Sequence, residues 1–381
     1  MLLKNGRVLN SNFTFETLDI LISEGKISDL YSSCKAIYGN EAKVLDLTGL
    51  TVLPGLIDIH THGCNSYDTM DATYEAINAM SEYQAKNGVT SFMPTTMTES
   101  ITSLNNALTN IYKAVQKGVK GANIPGVYME GPYFSKKYKG AQNEKYLKSP
   151  SFDEFKELQE ACGNMIRIVS IAPELEGAME FIKKVSELGI TVSMGHTEAD
   201  YNTAVKAIEN GVSHVTHLFN AMPPFHHREP RVVGAAFDKK ISVELICDGI
   251  HLHPSVIRTA IKAVTPEKSL LISDSMRATG LNDGLYNFGG QVINVENEIA
   301  RTETGALAGS TTPLFYCVKK AVEYGIRLED AVKMASINPA RQIGADKYTG
   351  SIEIGKDADL VVINDRFEIV YTFVKGVLIG I

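Results

Sequence analysis

Residues 53–63 read LPGLIDIHTHG, a short apolar run that ends in two histidines separated by one residue. Successive side chains of a strand point to opposite faces, so the imidazoles of His60 and His62 should lie on the same face. Two rings placed in this way can reach a single metal ion. The segment therefore predicts a buried strand that carries a pair of metal ligands at its carboxyl end.

Similar apolar runs follow along the chain and alternate with amphipathic segments. The runs are rich in valine and isoleucine and do not alternate strictly, which is typical of parallel strands covered on both faces. The segments between them, such as TYEAINAMSEYQAKNG at 73–88, have the pattern of helices that end at glycine. This succession predicts an α/β fold of the (β/α)8 or TIM barrel class, with an open doubly wound sheet as the alternative. The eight runs are LPGLIDIH (53–60), VTSFMPTT (89–96), IPGVYME (124–130), IRIVSIAPE (166–174), ITVSMGH (190–196), VSHVTHLFN (212–220), ISVELICDG (241–249) and SLLISDS (269–275).

Both ends of the chain have a different texture. The first fifty or so residues contain apolar stretches separated by turn dipeptides such as Asn5-Gly6 and Glu24-Gly25. This pattern is typical of a β meander. The stretch GSIEIGKDADLVVINDRFEIVYTFVKGVLIGI at 350–381 repeats it, so we expect short strands at both ends.

The composition argues against several classes of protein. The chain has 381 residues, of which 44% are hydrophobic and 21% charged, as in an ordinary globular protein. A net charge of −7 gives no general reason to expect nucleic acid or a membrane surface as a partner. The cysteines are scattered without CxxC spacing, and the first residues lack the apolar stretch of a signal peptide. We therefore expect a cytoplasmic protein without a disulfide framework. The five cysteines are Cys34, Cys64, Cys162, Cys247 and Cys317.

Several of the runs end in histidine or a carboxylic acid. In (β/α)8 barrels the chemistry lies on the loops that follow the strands. A single histidine or aspartate there is more often a hydrogen-bonded loop residue or a helix cap, but a set gathered at one rim indicates a shared site. Such ligands suit Zn²⁺, Fe²⁺, Mn²⁺ or Co²⁺, and the lack of thiolates disfavours a closed structural zinc site. We expect His214 to face away from this set and to be structural. The candidates are His60, His62, Glu130, His196, His217 and Asp274.

These residues lie in motifs that resemble the amidohydrolase superfamily and, within it, the N-acetylglucosamine-6-phosphate deacetylase family. PGxIDxHxH and GxDADLVV are shared across the superfamily, whereas EGP, HLFNAM followed by REP, and DGxH are more specific to the deacetylases. The resemblance covers nearly the whole chain. The matching stretches are PGLIDIHTHG (54–63), MEGPYFS (129–135), KGAQN (139–143), MGHTEAD (194–200), THLFNAMPPFHHREP (216–230), DGIHLHP (248–254), SDSM (273–276), GALAGST (305–311) and GSIEIGKDADLVV (350–362).

The resemblance implies a fold and an activity. Residues 54–347 would form the barrel, and residues 1–53 and 348–381 would together form one small β-sandwich. The implied reaction is metal-dependent hydrolysis of the N-acetyl group of N-acetylglucosamine 6-phosphate, which gives glucosamine 6-phosphate and acetate in amino-sugar catabolism.

The resemblance also implies one or two divalent ions. Glu130, His196 and His217 would hold a primary metal, and His60 and His62 would hold a second. Many superfamily members bridge two metals with a carbamylated lysine at the fourth strand. That strand here ends in APE at 172–174, and Glu130 would serve in place of the lysine.

A phosphosugar pocket and a partner subunit are further implications. Arg228 would reach the active site of a neighbouring subunit and bind the 6-phosphate, which implies a homodimer. Asp274, which we expect to stand apart from the ligands, is the candidate general base and then general acid. His251 would help to stabilise the oxyanion. The implied substrate-binding residues are Ala141, Gln142, Asn220, Ala221, Arg228, His251, Leu307, Ala308 and Gly309.

Three other functions stay open on the sequence. An N-acetylgalactosamine-6-phosphate deacetylase would differ only in the orientation of one substrate hydroxyl group. A cyclic amide hydrolase is disfavoured by the missing lysine and by Arg228. A catalytically inactive scaffold with the same fold is disfavoured because every expected ligand is present.

Overall fold

The computed structural model describes residues 1–32 and 43–380, and Cys34 lies outside these ranges. The strands, in chain order, are β1 (Leu2–Leu9), β2 (Phe15–Ser23), β3 (Lys26–Ser32), β4 (Val44–Asp46), β5 (Thr51–Pro54), β6 (Leu56–Thr61), β7 (Gly63–Cys64), β8 (Tyr67–Asp68), β9 (Val89–Pro94), β10 (Val127–Glu130), β11 (Ile166–Ile171), β12 (Thr191–Met194), β13 (Val212–Val215), β14 (Ser242–Ile246), β15 (Ser269–Ile272), β16 (Gly284–Phe288), β17 (Gln291–Glu296), β18 (Ile299–Thr302), β19 (Leu360–Ile363), β20 (Ile369–Val374) and β21 (Val377–Ile379).

Several helices begin at a residue whose side chain caps the first turn. The first N–H groups of a helix have no partner within it, so a side-chain oxygen that accepts from one of them favours the start. Thr73, Ser100, Ser151 and Asp200 act in this way. The α-helices are α1 (Tyr74–Lys86), α2 (Ile101–Lys117), α3 (Phe152–Ala161), α4 (Ala178–Glu187), α5 (Tyr201–Glu209), α6 (Arg231–Lys239), α7 (Pro254–Val264), α8 (Leu314–Glu323), α9 (Leu328–Ala335) and α10 (Ile337–Gln342).

Each of the eight predicted runs contains a parallel strand. Six of these strands form one sheet in the order β10-β11-β12-β13-β14-β15, and β6 pairs with β9. Isolated parallel bridges join Thr95 to Tyr128 and Thr61 to Ser275, so β9 lies beside β10 and the end of β6 lies beside the residues after β15. All residues of β10, β14 and β15 are buried, as expected for strands with both faces covered. The predicted mixed α/β fold with parallel strands is confirmed.

The two ends of the chain contribute strands to a separate sheet. Its order is β21-β20-β19-β5-β1-β2-β3, and β4 pairs with β1. Strand β19 runs antiparallel to β5, with Leu360 opposite Pro54, so strands from the last part of the chain flank the strand that leads into β6. Val8, Ile20 and Phe373 belong to the apolar cluster of this sheet, which is separate from the main core.

A three-stranded antiparallel sheet, β16-β17-β18, lies between β15 and α8 and was not predicted from the sequence. Its buried face carries Phe288, Ile293 and Val295, which pack in one cluster with Met97 and Met276. Because Met97 follows β9 and Met276 follows β15, this sheet covers loops at the carboxyl ends of the parallel strands.

Two observations concern membranes and thiols. No helix within residues 1–32 and 43–380 is long and apolar enough to cross a membrane. Four cysteines are buried free thiols, namely Cys64, Cys162, Cys247 and Cys317.

Candidate metal centre and active site

Three of the predicted site residues occupy equivalent positions after their strands. His196, His217 and Asp274 each lie two residues beyond the end of β12, β13 and β15. Their φ angles are 47°, 29° and 48°. A positive φ costs a non-glycine residue about 1 kcal/mol or more, and such residues cluster at functional sites. The backbone at these strand ends is therefore held in an unfavourable conformation that brings the three side chains to one place.

Glu130, His196 and His217 form the first buried group. The Oε1 atom of Glu130 lies 3.3 Å from Nε2 of His196 and 3.2 Å from Nε2 of His217. The two Nε2 atoms are 3.1 Å apart. The structure thus brings together the three residues that the sequence suggested as ligands of a primary metal.

His60, His62 and Asp274 form the second buried group. The Nε2 atoms of the two histidines are 3.4 Å apart, and each lies 3.4 Å from Oδ1 of Asp274. We had expected Asp274 to stand apart from the ligands, but it lies among them. Strand β15 ends beside β6, as the bridge between Thr61 and Ser275 indicates, and this brings the carboxylate against both rings.

The carboxylate of Glu130 lies between the two groups. While Oε1 faces the first group, Oε2 is 3.2 Å from Nε2 of His62. The amide of Gln142 donates to the same Oε2 at 2.7 Å, and its own oxygen accepts from the backbone N–H of Thr98 at 2.7 Å. Gln142, whose contact the sequence could not specify, therefore orients Glu130. Among the described residues, only histidines form the ion pairs of Glu130, and no lysine contributes.

Both groups have the geometry of ligands that share a cation. Ligand atoms at about 2.1 Å from a tetrahedral metal lie about 3.4 Å apart. The distances within the two groups, 3.1–3.3 Å and 3.4 Å, are close to this value. Each group also consists of buried nitrogen and oxygen donors that lie within 4.8 Å of one another. The donor types suit a divalent cation of the zinc, iron, manganese or cobalt kind.

The electrostatics of the site point the same way. Burial alone would lower the pKa of His60 and His62, but the surrounding carboxylates raise these values to about 9 and about 10. Burial would raise the pKa of Glu130, but His60 and hydrogen bonds from the other three histidines hold it well below its usual range. A field that favours protons on buried imidazoles favours any cation at that position.

Glu244 is a site residue that the sequence analysis missed. It is fully buried in β14, and Oε2 lies 2.9 Å from Nδ1 of His60 and accepts from the backbone N–H of His217 at 3.0 Å. Its other oxygen lies 3.0 Å from Nε2 of His214. His214, which we expect to be structural, belongs to neither ligand group and contacts the carboxylate that holds His60. Glu244 gave one signal in the sequence, as the one charged residue within the apolar run at 241–249 before its final Asp-Gly.

A cavity of about 570 Å³ adjoins both groups. Seven of the nine predicted substrate-binding residues line it, and Ala308 and Arg228 do not. Ala308 is fully buried, and Arg228 is exposed, with its guanidinium 2.8 Å from Nε2 of His227. The seven residues are Ala141, Gln142, Asn220, Ala221, His251, Leu307 and Gly309.

Further lining residues come from two segments that sequence reasoning singled out only in part, as in KGAQN at 139–143 of the first. One is the loop after β10, which supplies Lys137 and Lys139, while the carbonyl of Tyr138 lies 3.0 Å from Nδ1 of His196. The other is the sheet β16-β17-β18 with its following turn, which supplies Phe288 and Thr304. The cavity is therefore bounded by metal-ligand candidates, cationic side chains and one small added sheet.

His251 lies in an ordered pair with an acid. Its Nδ1 atom is 2.7 Å from Oδ2 of Asp248, and the other oxygen of Asp248 accepts from the backbone N–H groups of Ile250 and His251. Burial opposes ionisation of Asp248, but its hydrogen bonds and the charge of His251 lower the pKa of the carboxyl group. The imidazole is thus held in one orientation beside the cavity.

Comparison with known proteins places this geometry in a family. Residues 51–379 match the amidohydrolase family. The N-acetylglucosamine-6-phosphate deacetylase of Bacillus subtilis (strain 168) is 38% identical over 99% of this chain and 96% of its own. That of Vibrio furnissii is 38% identical over 89% of this chain and 85% of its own.

A solved structure agrees with these sequence relatives. It is a variant of N-acetyl-D-glucosamine-6-phosphate deacetylase from Mycobacterium smegmatis in complex with N-acetyl-D-glucosamine-6-phosphate. The TM-score is 0.93 at 29% identity, and the alignment covers 100% of this chain and 99% of that one. With a family match over most of the sequence and relatives alike over nearly its full length, the predicted membership is confirmed, and this chain belongs to the amidohydrolase family.

Proposed function

We propose that this amidohydrolase removes the acetyl group of N-acetylglucosamine 6-phosphate by hydrolysis, in amino-sugar catabolism. The observation that carries the proposal is a cavity of about 570 Å³ that adjoins two buried histidine–carboxylate groups. A pocket of this size holds a phosphosugar, and the groups beside it can activate water and a carbonyl. The products are glucosamine 6-phosphate and acetate.

The proposal includes a finer view of the fold. The eight parallel strands of residues 54–347 form a closed (β/α)8 barrel, and residues 1–53 and 348–381 form a small β-sandwich domain. Barrel closure is supported by the parallel bridges that join β9 to β10 and the end of β6 to the residues after β15. The domain boundaries are supported by the sheet that combines strands from both ends of the chain.

We assign one or two divalent ions, of Zn²⁺, Fe²⁺, Mn²⁺ or Co²⁺, to the two groups. Glu130, His196 and His217 would hold the primary ion, and His60 and His62, joined by Asp274, would hold the second. When bound, such an ion polarises a carbonyl oxygen and lowers the pKa of water towards neutrality.

The residues of the chain then carry the proton transfers. Asp274 accepts a proton from the water that attacks the acetyl carbonyl, and returns it to the amine nitrogen that leaves. His251, held by Asp248, presents its other edge to the carbonyl oxygen as that atom gains negative charge. Gln142 keeps Glu130 in position and so preserves the arrangement of the first group.

Substrate recognition divides between this chain and a second copy of it. The cavity-lining residues Ala141, Asn220 and Leu307 contact the sugar, while the phosphate requires a cation. Arg228 lies outside the cavity of its own chain, which is the position expected if it reaches the site of a partner subunit in a homodimer. Its planar guanidinium suits a bidentate contact with phosphate.

Acetate release from N-acetylglucosamine 6-phosphate tests the proposed activity. We expect release that stops after dialysis against a chelator and returns on addition of one of the four metals. N-acetylgalactosamine 6-phosphate, assayed in parallel, distinguishes the epimers by kcat/KM. An intact protein that releases no acetate from either sugar with any of the metals would contradict the proposal and leave the inactive scaffold.

Arg228→Ala tests phosphate recognition separately from chemistry. We expect KM for the phosphorylated sugar to rise by about 10- to 100-fold, because a charge-assisted bidentate contact is lost. The preference over unphosphorylated N-acetylglucosamine should fall by the same factor. Arg366→Ala, at an exposed arginine outside the barrel region, is the matched control. An unchanged preference would remove Arg228 from the phosphate site.

A further inference from the structure

The buried carboxylate of Glu244 links residues of both metal-ligand groups without belonging to either. Oε2 contacts Nδ1 of His60, from the second group, and the backbone N–H of His217, from the first. Oε1 contacts His214. Both carboxylate oxygens therefore have partners, and the group lies in an interior where an unpaired charge would be very costly.

The contact with Glu244 decides which nitrogen of His60 can bind a metal. A neutral imidazole has one N–H and one nitrogen with a lone pair, and a carboxylate can only accept. Nδ1 of His60 must therefore carry the hydrogen, which leaves the lone pair on Nε2. That atom faces His62 and Asp274 at 3.4 Å, where a shared cation would lie.

The two groups differ in how their histidines are oriented. In the first group, Nδ1 of His196 lies 3.0 Å from the carbonyl oxygen of Tyr138, a neutral partner. Each group also has one ring whose buried Nδ1 has no hydrogen-bond partner among the residues that the structure describes, His217 in the first group and His62 in the second. The groups therefore differ in the partner that orients their other histidine, which is a neutral carbonyl oxygen for His196 and a charged carboxylate for His60.

We propose that Glu244 is a positioning residue that determines whether the group His60, His62 and Asp274 holds a divalent cation. A carboxylate behind a histidine ligand fixes the ring and makes it a stronger donor. The inference rests on the metal sites of the proposed function and goes beyond them, because it names the residue that enables the second site to bind a cation. Loss of Glu244 should weaken the second site far more than the first.

Glu244→Gln is the informative substitution because it keeps the shape. The amide oxygen can accept from His60 and from the N–H of His217, while the amide group donates to His214, so the fold is retained and the charge is lost. We expect the affinity of the second site for Co²⁺ to fall by about 10- to 100-fold. The first site should change by less than about threefold. Titration of the chelator-treated full chain with Co²⁺, followed by absorption spectroscopy and metal analysis, separates the two sites.

Asp359→Asn is the matched control, since Asp359 is also a buried carboxylate but lies at the terminal sheet. It should leave both Co²⁺ affinities unchanged. A wild-type chain that binds one Co²⁺, or a Gln variant that binds two as tightly as wild type, would overturn the proposal. The acetate assay on the wild-type protein tests the proposed function independently, so the two can fail separately.

A measurement on the wild-type chain covers the case in which the variant does not fold. Nitrogen-15 NMR of labelled histidines in the Zn²⁺-loaded protein should show His60 with hydrogen on Nδ1 and metal on Nε2. Metal on Nδ1 of His60 would exclude the assigned role of Glu244, because the carboxylate occupies that side of the ring.

Discussion

Glu244 at the candidate metal centre and Asp359 at the terminal sheet are both buried carboxylates, yet their environments act on them in opposite directions. Burial favours the protonated form of each. Around Glu244, the histidines His60 and His214 overcome this effect and lower its pKa to about 2. Around Asp359, hydrogen bonds from the backbone of Lys375 and the hydroxyl of Thr349 do not overcome it, and the pKa is raised to about 6.

The contrast shows what distinguishes a functional polar interior from a structural one. At the terminal sheet, Asp359 accepts hydrogen bonds from neutral donors, a common way to join loops to a sheet. The rim of the parallel strands instead gathers three acids, Glu130, Glu244 and Asp274, with histidines in contact with each. Such an arrangement is costly unless a cation or protons balance the charge. The three carboxylates gathered at one rim therefore indicate a cation site.

The largest expected effect in this comparison concerns Asp274. Asp274→Asn should lower kcat by about 1000-fold or more, because it removes both proton transfers. The group Glu130, His196 and His217 should still bind one metal, since it does not include this residue. Asp359→Asn should leave kcat within about twofold of wild type, because it lies away from the cavity.

Steady-state kinetics with metal analysis of both variants measures this difference. Near-normal turnover of Asp274→Asn would show that another group carries the protons. Loss of the first-site metal in the same variant would instead show that the two groups cannot be separated, so the kinetic effect would not identify a base.

The residues that gather in the two groups could be identified from the sequence because their signals are local. His60 and His62 lie two apart at the end of one strand. Glu130, His196 and His217 each lie at the end of a strand or two residues beyond it, at the edge where parallel strands share their carboxyl ends. Strand periodicity and chain order were sufficient for this. Polar and apolar residues alternate in QVINVE, which lies within β17, and this alternation is a further local signal of a strand. The added sheet over the cavity was missed because this signal was not considered.

The sequence could not predict how the ligands are held. Glu244 contacts His60 across 184 residues of chain, and that pairing depends on the register between strands that are far apart in sequence. The expectation that Asp274 stands apart was wrong for the same reason. A correct prediction would have required the information that β15 ends beside β6. Local patterns identify which residues are present at the rim, whereas distances between them follow from strand order and register.

The smallest expected effect is in the terminal sheet and concerns stability. Asp359→Asn keeps the shape of the side chain, because the amide can still accept from the backbone of Lys375 and donate to Thr349. The raised pKa means that the folded wild-type chain holds a proton more tightly than the unfolded chain between about pH 4 and pH 6.

Because the folded chain binds this proton more tightly, protonation of Asp359 stabilises the fold. The stabilisation is fully present below the ordinary carboxyl pKa of 3.8 and is lost as the pH rises through about 6. A rise in pKa from 3.8 to about 6 corresponds to about 3 kcal/mol, an upper value for a group that retains two hydrogen bonds. The free energy of unfolding of wild type, relative to Asp359→Asn, should therefore fall by up to about 3 kcal/mol between pH 4 and pH 7. Urea unfolding of both proteins across this range measures the difference. Parallel curves would mean that the pKa of Asp359 is not raised, and the environments of Asp359 and Glu244 would then not act on their carboxyl groups in opposite directions.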